Sequence, residues 1–311
     1  YDSNTLLGSV LADSTGGWSF NTGPLSDGTH LLTATATDAA GNASGASSAW
    51  SVTINTSTPN APIISGFSDS GALGDGVTNA NVQTLAGAAA ANTTVKVYDG
   101  ATLLGSALAD SLGAWNFTTT ALVDGLHGFT ATATDSNGHT SVASSVLDVT
   151  IDTIAPNVAR MTTFSPAGLL SGIAEANSAI KIYDGGNLVG SAITDGNGAW
   201  SFSSTTGVAH SFTLTATDLA GNTGAISDKY WVGTAANEIF SGSTGIDVMM
   251  GGTGNDKYYI NTLADQVYEN PGAGKDWVYT SVSGYTLPDN IEVGAINATT
   301  GMTLYANPTM A

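Results

Sequence analysis

The stretch "YDGATLLGSALADSLGAWNF", residues 98–117, occurs in close variants at two other places in the chain. These are "YDSNTLLGSVLADSTGGWSF" at residues 1–20 and "YDGGNLVGSAITDGNGAWSF" at residues 183–202. The tryptophans of the three copies, Trp18, Trp115 and Trp200, are 97 and 85 residues apart. A repeat of this length is one small domain, because a single coil of a solenoid is much shorter. The chain is therefore a tandem array of related domains.

Within each repeat, apolar and polar residues alternate with a period of two. Val95 and Val97 flank Lys96 in "TVKVYDG", and small residues alternate with threonines in "FTATATD". This is the pattern of half-buried strands with threonine on the solvent face. Turn sequences such as "DSLG" and "DSNG" separate the runs, and about seven short strands per repeat predict an all-β fold of antiparallel β-sandwiches. The three tryptophans alternate with phenylalanine on one face, so we expect them in the sandwich cores.

The composition excludes several classes of function. The 311-residue chain has 25 Asp and Glu against 6 Lys and Arg, and its formal net charge is −19. Such a chain repels phosphate backbones and anionic membranes, so no nucleic-acid partner is expected. Absence of cysteine excludes disulfides, thiol catalysis and cysteine-ligated zinc. No apolar run reaches the length of a membrane span, and no motif of phosphate binding or hydrolysis occurs, so neither membrane insertion nor enzymatic activity is expected.

The repeats, and a change of pattern after Trp231, divide the chain into four predicted segments. These are a partial domain at residues 1–55, domains at 56–153 and 154–232, and a different module at 233–311. The first segment lacks two strands, which would leave an open sheet edge and half a core. Because the chain begins inside the repeat without a Met or a signal peptide, we expect it to be a piece of a longer protein.

Aspartates in the turns are candidate metal ligands. Antiparallel strands alternate in direction, so the turns sort onto the two ends of each sandwich, and aspartates of neighbouring domains should meet. One predicted junction gathers Asp2, Asp27, Asp110 and Asp135, and the other gathers Asp99, Asp124, Asp152, Asp195 and Asp218. Carboxylates collected without a cation repel one another, and Ca²⁺ binds about six to eight such oxygens. The alternative is that Asp-Gly and Asp-x-x-Gly are ordinary turn formers.

The order "TVKVYDG", "TLLGS", "GAWNF", "ATATD" resembles the bacterial immunoglobulin-like (Ig-like) repeats of giant adhesins exported by type I secretion. The resemblance covers residues 1–232. It implies a string of tandem Ig-like sandwiches that forms a stalk between a cell surface and a target, with calcium at the joints. The linkers "TINTSTPNAP" and "TIDTIAPNVA" fit this arrangement, because proline ends strands and stiffens a joint.

After Trp231 the chain has a period of nine. The copies are "GTAANEIFS", "GSTGIDVMM" and "GGTGNDKYY", followed by "INTLADQVY" and "PGAGKDWVY". The fourth copy is degenerate, because it has lost its glycines, and the fifth is shifted by two residues. Glycine allows the tight turn and exposes carbonyls to an ion, and an acid follows at the sixth position. The predicted ligands are Gly245, Gly252, Gly254, Glu238, Asp247, Asp256 and Asp265.

The same period predicts how these residues stack. Alternate nonapeptides lie on the same side of a roll, so Asp247 should lie near Asp265, and Glu238 near Asp256. An apolar residue two places after each acid should pack inside the coil. These inward residues are Phe240, Met249, Tyr258 and Val267.

The nonapeptides resemble the RTX, or haemolysin-type, calcium-binding repeats of type I secreted proteins. The resemblance covers residues 233–294, including the strand-rich stretch that commonly follows such repeats. It implies a short parallel β-roll with Ca²⁺ between its coils. The alternative is a glycine-rich roll with vestigial sites, since some copies have lost their glycines.

The sequence therefore predicts a calcium-stabilised extracellular stalk of a bacterial adhesin or biofilm protein at the cell surface, with Ca²⁺ as its cofactor. Calcium would stiffen the domain junctions and fold the RTX-type segment after secretion. The partner would be an unidentified cell-surface or extracellular polymer, and self-assembly stays open. The alternatives are a subunit of a surface layer, sheath or filament, and a non-catalytic appendix of a secreted polysaccharide-active enzyme.

Overall fold

The computed structural model describes residues 1–164, 168–297 and 301–307, and their secondary structure consists of strands and turns. This confirms the predicted all-β fold. None of these residues lies in a helix long and apolar enough to cross a bilayer. The chain folds as two compact units. The first comprises Tyr1–Phe67, Thr84–Thr119 and Gly128–Leu147, and the second comprises Ser68–Gln83, Thr120–His127 and Asp148–Ala311.

Residues 1–153 contain strands β1 (Gly28–Leu32), β2 (Trp50–Ile54), β3 (Ile63–Gly66), β4 (Val77–Thr78), β5 (Thr84–Ala88), β6 (Thr94–Asp99), β7 (Thr102–Leu108), β8 (Ala114–Thr118), β9 (Gly125–Thr134) and β10 (Leu147–Ile151). Residues 154–232 contain β11 (Arg160–Phe164), β12 (Leu169–Ile173), β13 (Ala179–Asp184), β14 (Asn187–Ile193), β15 (Ala199–Ser203), β16 (His210–Thr217) and β17 (Lys229–Val232). The remaining strands are β18 (Ile239–Ser241), β19 (Asp247–Met250), β20 (Lys257–Ile260), β21 (Gln266–Tyr268), β22 (Trp277–Thr280), β23 (Tyr285–Thr286), β24 (Val293–Ile296) and β25 (Leu304–Tyr305).

The first unit is built from antiparallel strand pairs. β1 pairs with β2, β5 pairs with β3 and β8, and β6 pairs with β7 and β9. Val95 and Val97 on β6 and Phe129 on β9 have no solvent exposure, whereas Lys96 between the valines is exposed. Leu85 on β5 is also fully buried. The alternation along each strand therefore supplies the inward face of a sandwich, as the sequence predicts.

A glycine opposite each buried tryptophan makes room for its indole. Gly87 lies across from Trp115, and Gly172 lies across from Trp200. A Cβ on either glycine would approach the indole to 2.8 and 2.7 Å, respectively. Trp115 and Trp200 are only 3% and 4% exposed, as predicted, but Trp18 is 60% exposed. The prediction for Trp18 was wrong because the first repeat has no strand in the position that β5 and β12 occupy in the others.

In the second unit, one Ig-like sandwich leads directly into the C-terminal module. β12 pairs with β11 and β15, and the opposing sheet has the order β14-β13-β16-β17. Leu170, Ile182, Phe212 and Leu214 are buried in the core. The opposing sheet continues past β17 into β19 and β21, which pair in parallel. The last strand of the sandwich is therefore also the first strand of the following module. A short parallel pair, β4 with β10, belongs to the same unit.

The C-terminal module is a parallel β-solenoid. β17, β19 and β21 stack on one side, and β18, β20, β22 and β24 stack on the other, while β23 pairs with β25. Ile239 pairs with Lys257, which is the spacing of two nonapeptides per coil. Lys257 pairs with Trp277, and the two extra residues match the shift in the sequence pattern. The four predicted inward residues are buried: Phe240, Met249, Tyr258 and Val267.

Candidate metal centre

The turns of the solenoid stack in two columns. Column A contains residues 233–238, 251–256 and 269–276, which precede β18, β20 and β22. Column B contains residues 242–246 and 261–265, which precede β19 and β21. The strands after these turns pair in parallel, so the acids that end successive turns, or begin the strand that follows, lie next to one another.

Column B brings Asp247 and Asp265 together, with only 0% and 3% exposure. The backbone N–H of Asp247 donates to Oδ1 of Asp265 at 3.1 Å. Asp247 accepts from the Trp231 indole at 2.9 Å and from the Ser243 hydroxyl at 2.9 Å. Oδ2 of Asp265 accepts from the backbone N–H of Thr262 at 3.2 Å. All four carboxylate oxygens of column B therefore accept hydrogen bonds from the described residues.

A ladder of four acids runs through column A and ends at Glu292, which follows β23 outside the column. The backbone N–H of Glu238 donates to Oδ1 of Asp256 at 2.7 Å. In the next step, the N–H of Asp256 donates to Oδ1 of Asp276 at 2.8 Å. The N–H of Asp276 in turn donates to Oε2 of Glu292 at 2.7 Å. The predicted neighbours Glu238 and Asp256 are thus brought together, and Asp276 and Glu292 extend the set.

Several of the remaining oxygens in column A have no donor. Asp256 is fully buried, and its Oδ2 has no hydrogen-bond partner among the described residues. Within the same residues, Oε2 of Glu238 and Oε2 of Glu269 also lack partners. The Tyr258 hydroxyl donates to the other oxygen of Glu269. Gly251 lines this space, since a Cβ there would collide with Tyr258, Glu269 and Asp256.

The acids of column A concentrate negative charge. Asp256, Glu269 and Asp276 each place one carboxylate oxygen within 4.8 Å of the others, and the described residues contain no second group of this kind. Burial, reinforced by the charges of Glu238 and Asp276, raises the pKa of Asp256 to about 6. Burial likewise raises the pKa of Glu269 to about 7. The pKa of Asp276 is also raised by burial. When all three acids are ionised, their burial and mutual repulsion therefore lower the stability of the folded protein.

The lysines near column A do not pair with its acids in the part of the chain that the structure describes. Within the described ranges, no lysine or arginine forms an ion pair with the column A acids. Lys257 and Lys275 follow or precede the acids in sequence, but their ammonium groups lie over the Trp277 ring, 5.9 and 5.7 Å from its centroid. Such carboxylates are neutralised either by protons or by a hard divalent cation, which prefers oxygen ligands. Column A therefore fits a cation, whereas the carboxylate oxygens of column B already accept hydrogen bonds. That Asp247 and Asp265 bind Ca²⁺ stays a prediction.

The nonapeptide glycines are required by the stacking of the coils. Gly252 and Gly254 have φ values of +99° and +137°. A Cβ at these positions would collide with the carbonyl oxygens of Thr234 and Ala236 in the preceding coil. Gly245 differs, because it has no left-handed φ and a Cβ there would make one ordinary contact at 4.0 Å. That the carbonyls of these glycines bind an ion stays a prediction.

Gly254→Ala is expected to destabilise the solenoid by about 1 to 3 kcal/mol from backbone strain alone. Gly245→Ala is the matched control and is expected to change stability by less than about 0.5 kcal/mol. Denaturant unfolding of the full chain in chelator, followed by tryptophan and tyrosine fluorescence, measures both. Equal losses in the two variants would contradict a specific role for close coil stacking at Gly254.

In the first unit, the predicted junction aspartates bind groups of the same unit. Backbone or side-chain donors lie at 3.1 Å for Asp2 (Leu31), 2.8 Å for Asp27 (Thr56), 3.2 Å for Asp99 (Gly128), 2.8 Å for Asp110 (Leu112) and 2.9 Å for Asp135 (Asn137). Such bonds fix Asx turns and strand ends. No three of these aspartates form a group like that of column A in the part of the chain that the structure describes.

In the second unit, one predicted junction is partly assembled. The Asn222 side chain donates to Asp218 at 2.9 Å and to the carbonyl oxygen of Asp152 at 2.8 Å. Desolvation, followed by the charges of Asp218 and Asp152, raises the pKa of Glu175, an acid that the repeat pattern did not indicate. The structure thus brings the linker and this turn together by direct hydrogen bonds.

Two further aspartates of this predicted junction, Asp124 and Asp195, have local partners. Asp124 accepts from the hydroxyl of Thr153 at 2.9 Å. Asp195 accepts from the backbone N–H groups of Asn197 and Ala199 at 2.8 and 2.9 Å. These contacts hold a linker and an Asx turn, respectively.

A buried histidine accounts for the aspartate repeated in the "YD" stretch. Nδ1 of His30 lies 2.6 Å from Oδ2 of Asp2, and Nε2 lies 2.8 Å from the carbonyl oxygen of Ser26. His210 repeats the arrangement, with Nδ1 2.8 Å from Asp184 and Nε2 3.1 Å from a backbone carbonyl oxygen. Both ring nitrogens of His30 face acceptors, which the doubly protonated imidazolium satisfies. The hydrogen bond to Asp2 raises the pKa of His30.

Two acids of the column A group were missed by sequence reasoning. Asp276 had a usable signal, because the shifted copy "PGAGKDWVY" places it at the sixth position. Glu269 had none, since it stands where the repeat would begin with glycine. Only the fold shows that it faces Asp256 and Tyr258.

Comparison with known families agrees with the fold. The bacterial Ig-like domain family matches residues 1–56 and 57–153, and the bacterial Ig domain family matches residues 155–230. These parts of the chain are bacterial Ig-like domains, and a parallel β-solenoid follows them. Ig-like families are typically non-catalytic, and no catalytic family is indicated. No curated protein matches the chain.

Similar solved structures include fibronectin(III)-like modules of CbhA from Clostridium thermocellum, with 17% identity, 51% of this chain and 87% of that chain covered, and a TM-score of 0.34. A tetra-tandem repeat in the extending region of a large adhesion protein shows 19% identity, coverage of 71% and 64%, and a TM-score of 0.27. The BSP domain of a biofilm-associated protein shows 18% identity, coverage of 57% and 30%, and a TM-score of 0.23. A likeness of fold at this level carries no statement about ligands.

Proposed function

We propose that the protein is a calcium-stabilised extracellular stalk of a bacterial adhesin or biofilm-forming surface protein, with an RTX-type solenoid as its calcium-binding part. The proposal rests on the column A group, in which three carboxylate oxygens lie within 4.8 Å of one another and none is paired with a lysine or arginine of the described residues. Tandem Ig-like domains support the stalk, because they repeat one compact unit along the chain. Bound Ca²⁺ would offset the repulsion among the carboxylates.

The proposal gives calcium a role in export. At low cytosolic calcium the column A acids repel one another, so the solenoid is loosened and the chain can pass a secretion channel. At extracellular calcium the repulsion is removed and the solenoid closes its coils. Calcium at the domain junctions is the part of the proposal that rests on the sequence alone.

Thermal unfolding of the full chain in millimolar Ca²⁺, in chelator and in Mg²⁺ tests the proposal. A site held at 100 times its Kd contributes about 2.7 kcal/mol, so the midpoint of the solenoid transition is expected to rise by several degrees in Ca²⁺. Mg²⁺ at the same concentration should produce a much smaller rise. Equal midpoints in Ca²⁺ and chelator would leave a plain β-sandwich spacer without a calcium function.

A further inference from the structure

We infer that Asp256, Glu269 and Asp276 form a single cation site inside the solenoid, better suited to Ca²⁺ than to Mg²⁺, with Gly251 on one wall. The inference rests on the proposed function, because it names the ligands of the proposed ion. It also departs from the nonapeptide pattern. Glu269 occupies a position that the pattern reserves for glycine, and the pattern reaches Asp276 only after a two-residue shift.

The kind of ligand favours a hard cation. One oxygen of each acid lies within 4.8 Å of the other two, so one ion can contact all three. Ca²⁺ accepts irregular sets of protein carboxylates. Mg²⁺ demands near-octahedral geometry, usually keeps several waters and is rarely held by protein ligands alone. A buried group of three carboxylates therefore suits Ca²⁺ better than Mg²⁺.

An independent observation points to a ligand at the same place. Asp256 is fully buried, yet its Oδ2 has no donor within the described residues. A buried carboxylate oxygen without a donor is costly, and native proteins normally avoid it. This oxygen faces the space beside Gly251, since a Cβ on that glycine would collide with it and with Glu269. A bound cation would satisfy the oxygen that the chain leaves unpaired.

Side chains around the three acids also favour a bound cation. Tyr258 reaches the group from the core side, and its hydroxyl donates to Glu269, which fixes that carboxylate. Glu238 adds a further carboxylate oxygen without a partner in the described part of the chain. Column B lacks these features, because donors satisfy all oxygens of Asp247 and Asp265. Column A therefore fits a cation, and column B provides a matched control within the same solenoid.

Terbium luminescence of the full chain tests the assignment. Tb³⁺ replaces Ca²⁺ at oxygen sites, and the ring of Tyr258 is close enough to sensitise its emission. We expect Glu269→Gln to weaken Tb³⁺ affinity about tenfold or more, because the site loses one of its charged ligands. Gly251→Ala, which fills the space beside the acids, should weaken it as well. Asp265→Asn in column B is the control and should leave the affinity within about twofold. Ca²⁺ should displace Tb³⁺ at lower concentration than Mg²⁺.

The outcomes separate the inference from the proposed function. Wild-type binding that Glu269→Gln leaves unchanged, or that Asp265→Asn weakens equally, would overturn the site and leave a calcium function elsewhere in the chain. No Tb³⁺ or Ca²⁺ binding by the wild type would overturn both. Circular dichroism in chelator shows whether Glu269→Gln is folded, and Asp276→Asn takes its place if it is not.

Discussion

Trp200→Ala is expected to lower the free energy of unfolding of the Ig-like sandwich in the second unit by about 3 to 5 kcal/mol. The indole is 4% exposed and packs against the Gly172 backbone, so its removal leaves a cavity that a rigid sheet cannot close. Because β17 belongs both to the sandwich and to the solenoid, the loss should lower the stability of the solenoid too. Denaturant unfolding monitored by circular dichroism measures the change.

Trp18→Ala is the matched control, since Trp18 holds the same place in the repeated sequence but is 60% exposed. Its removal is expected to change stability by no more than about 0.5 kcal/mol. Comparable losses in the two variants would mean that Trp18 is covered in solution. A loss at Trp200 confined to the sandwich would show that the solenoid folds independently of β17.

The metal-free protein is expected to gain stability as the pH falls from 7.5 to 5. Burial raises the pKa of Asp256 from 3.8 to about 6 and that of Glu269 from 4.5 to about 7. Between the ordinary and raised values, the folded state binds more protons than the unfolded state, so stability is lost as the pH rises through this window. Each pKa unit corresponds to about 1.4 kcal/mol, and coupling between the acids limits the combined effect to a few kcal/mol.

Denaturant unfolding in chelator at pH 5, 6 and 7.5 measures this dependence. His30 acts in the same direction, because its raised pKa also favours the folded state at lower pH. Asp256→Asn is therefore the control, since it removes part of the acid contribution and leaves the histidine in place. Saturating Ca²⁺ should flatten or reverse the trend, because protons then compete with the ion. Stability that is independent of pH in chelator would argue that the column A acids are hydrated rather than buried.

The sequence by itself determined the fold class and the coil repeat. The two-residue alternation around Lys96 specifies strands with one buried face, and the nine-residue period specifies coils in which Phe240 and Tyr258 stack. Both patterns are local, because the side chains that face the core recur at a spacing set by the backbone geometry. For the same reason, the nonapeptides indicated that Glu238 lies beside Asp256.

Only the tertiary structure decided which acids are satisfied. Asp247 and Asp256 occupy the same position of the repeat, yet the Trp231 indole reaches Asp247, while Oδ2 of Asp256 faces Gly251 and has no donor among the described residues. Glu269 joins Asp256 only because the coil folds back on itself. Hydrogen bonding and charge repulsion depend on neighbours that are distant in the chain. The repeat pattern could therefore indicate candidate ligands, but it could not distinguish the hydrogen-bonded acids of column B from the mutually repelling acids of column A.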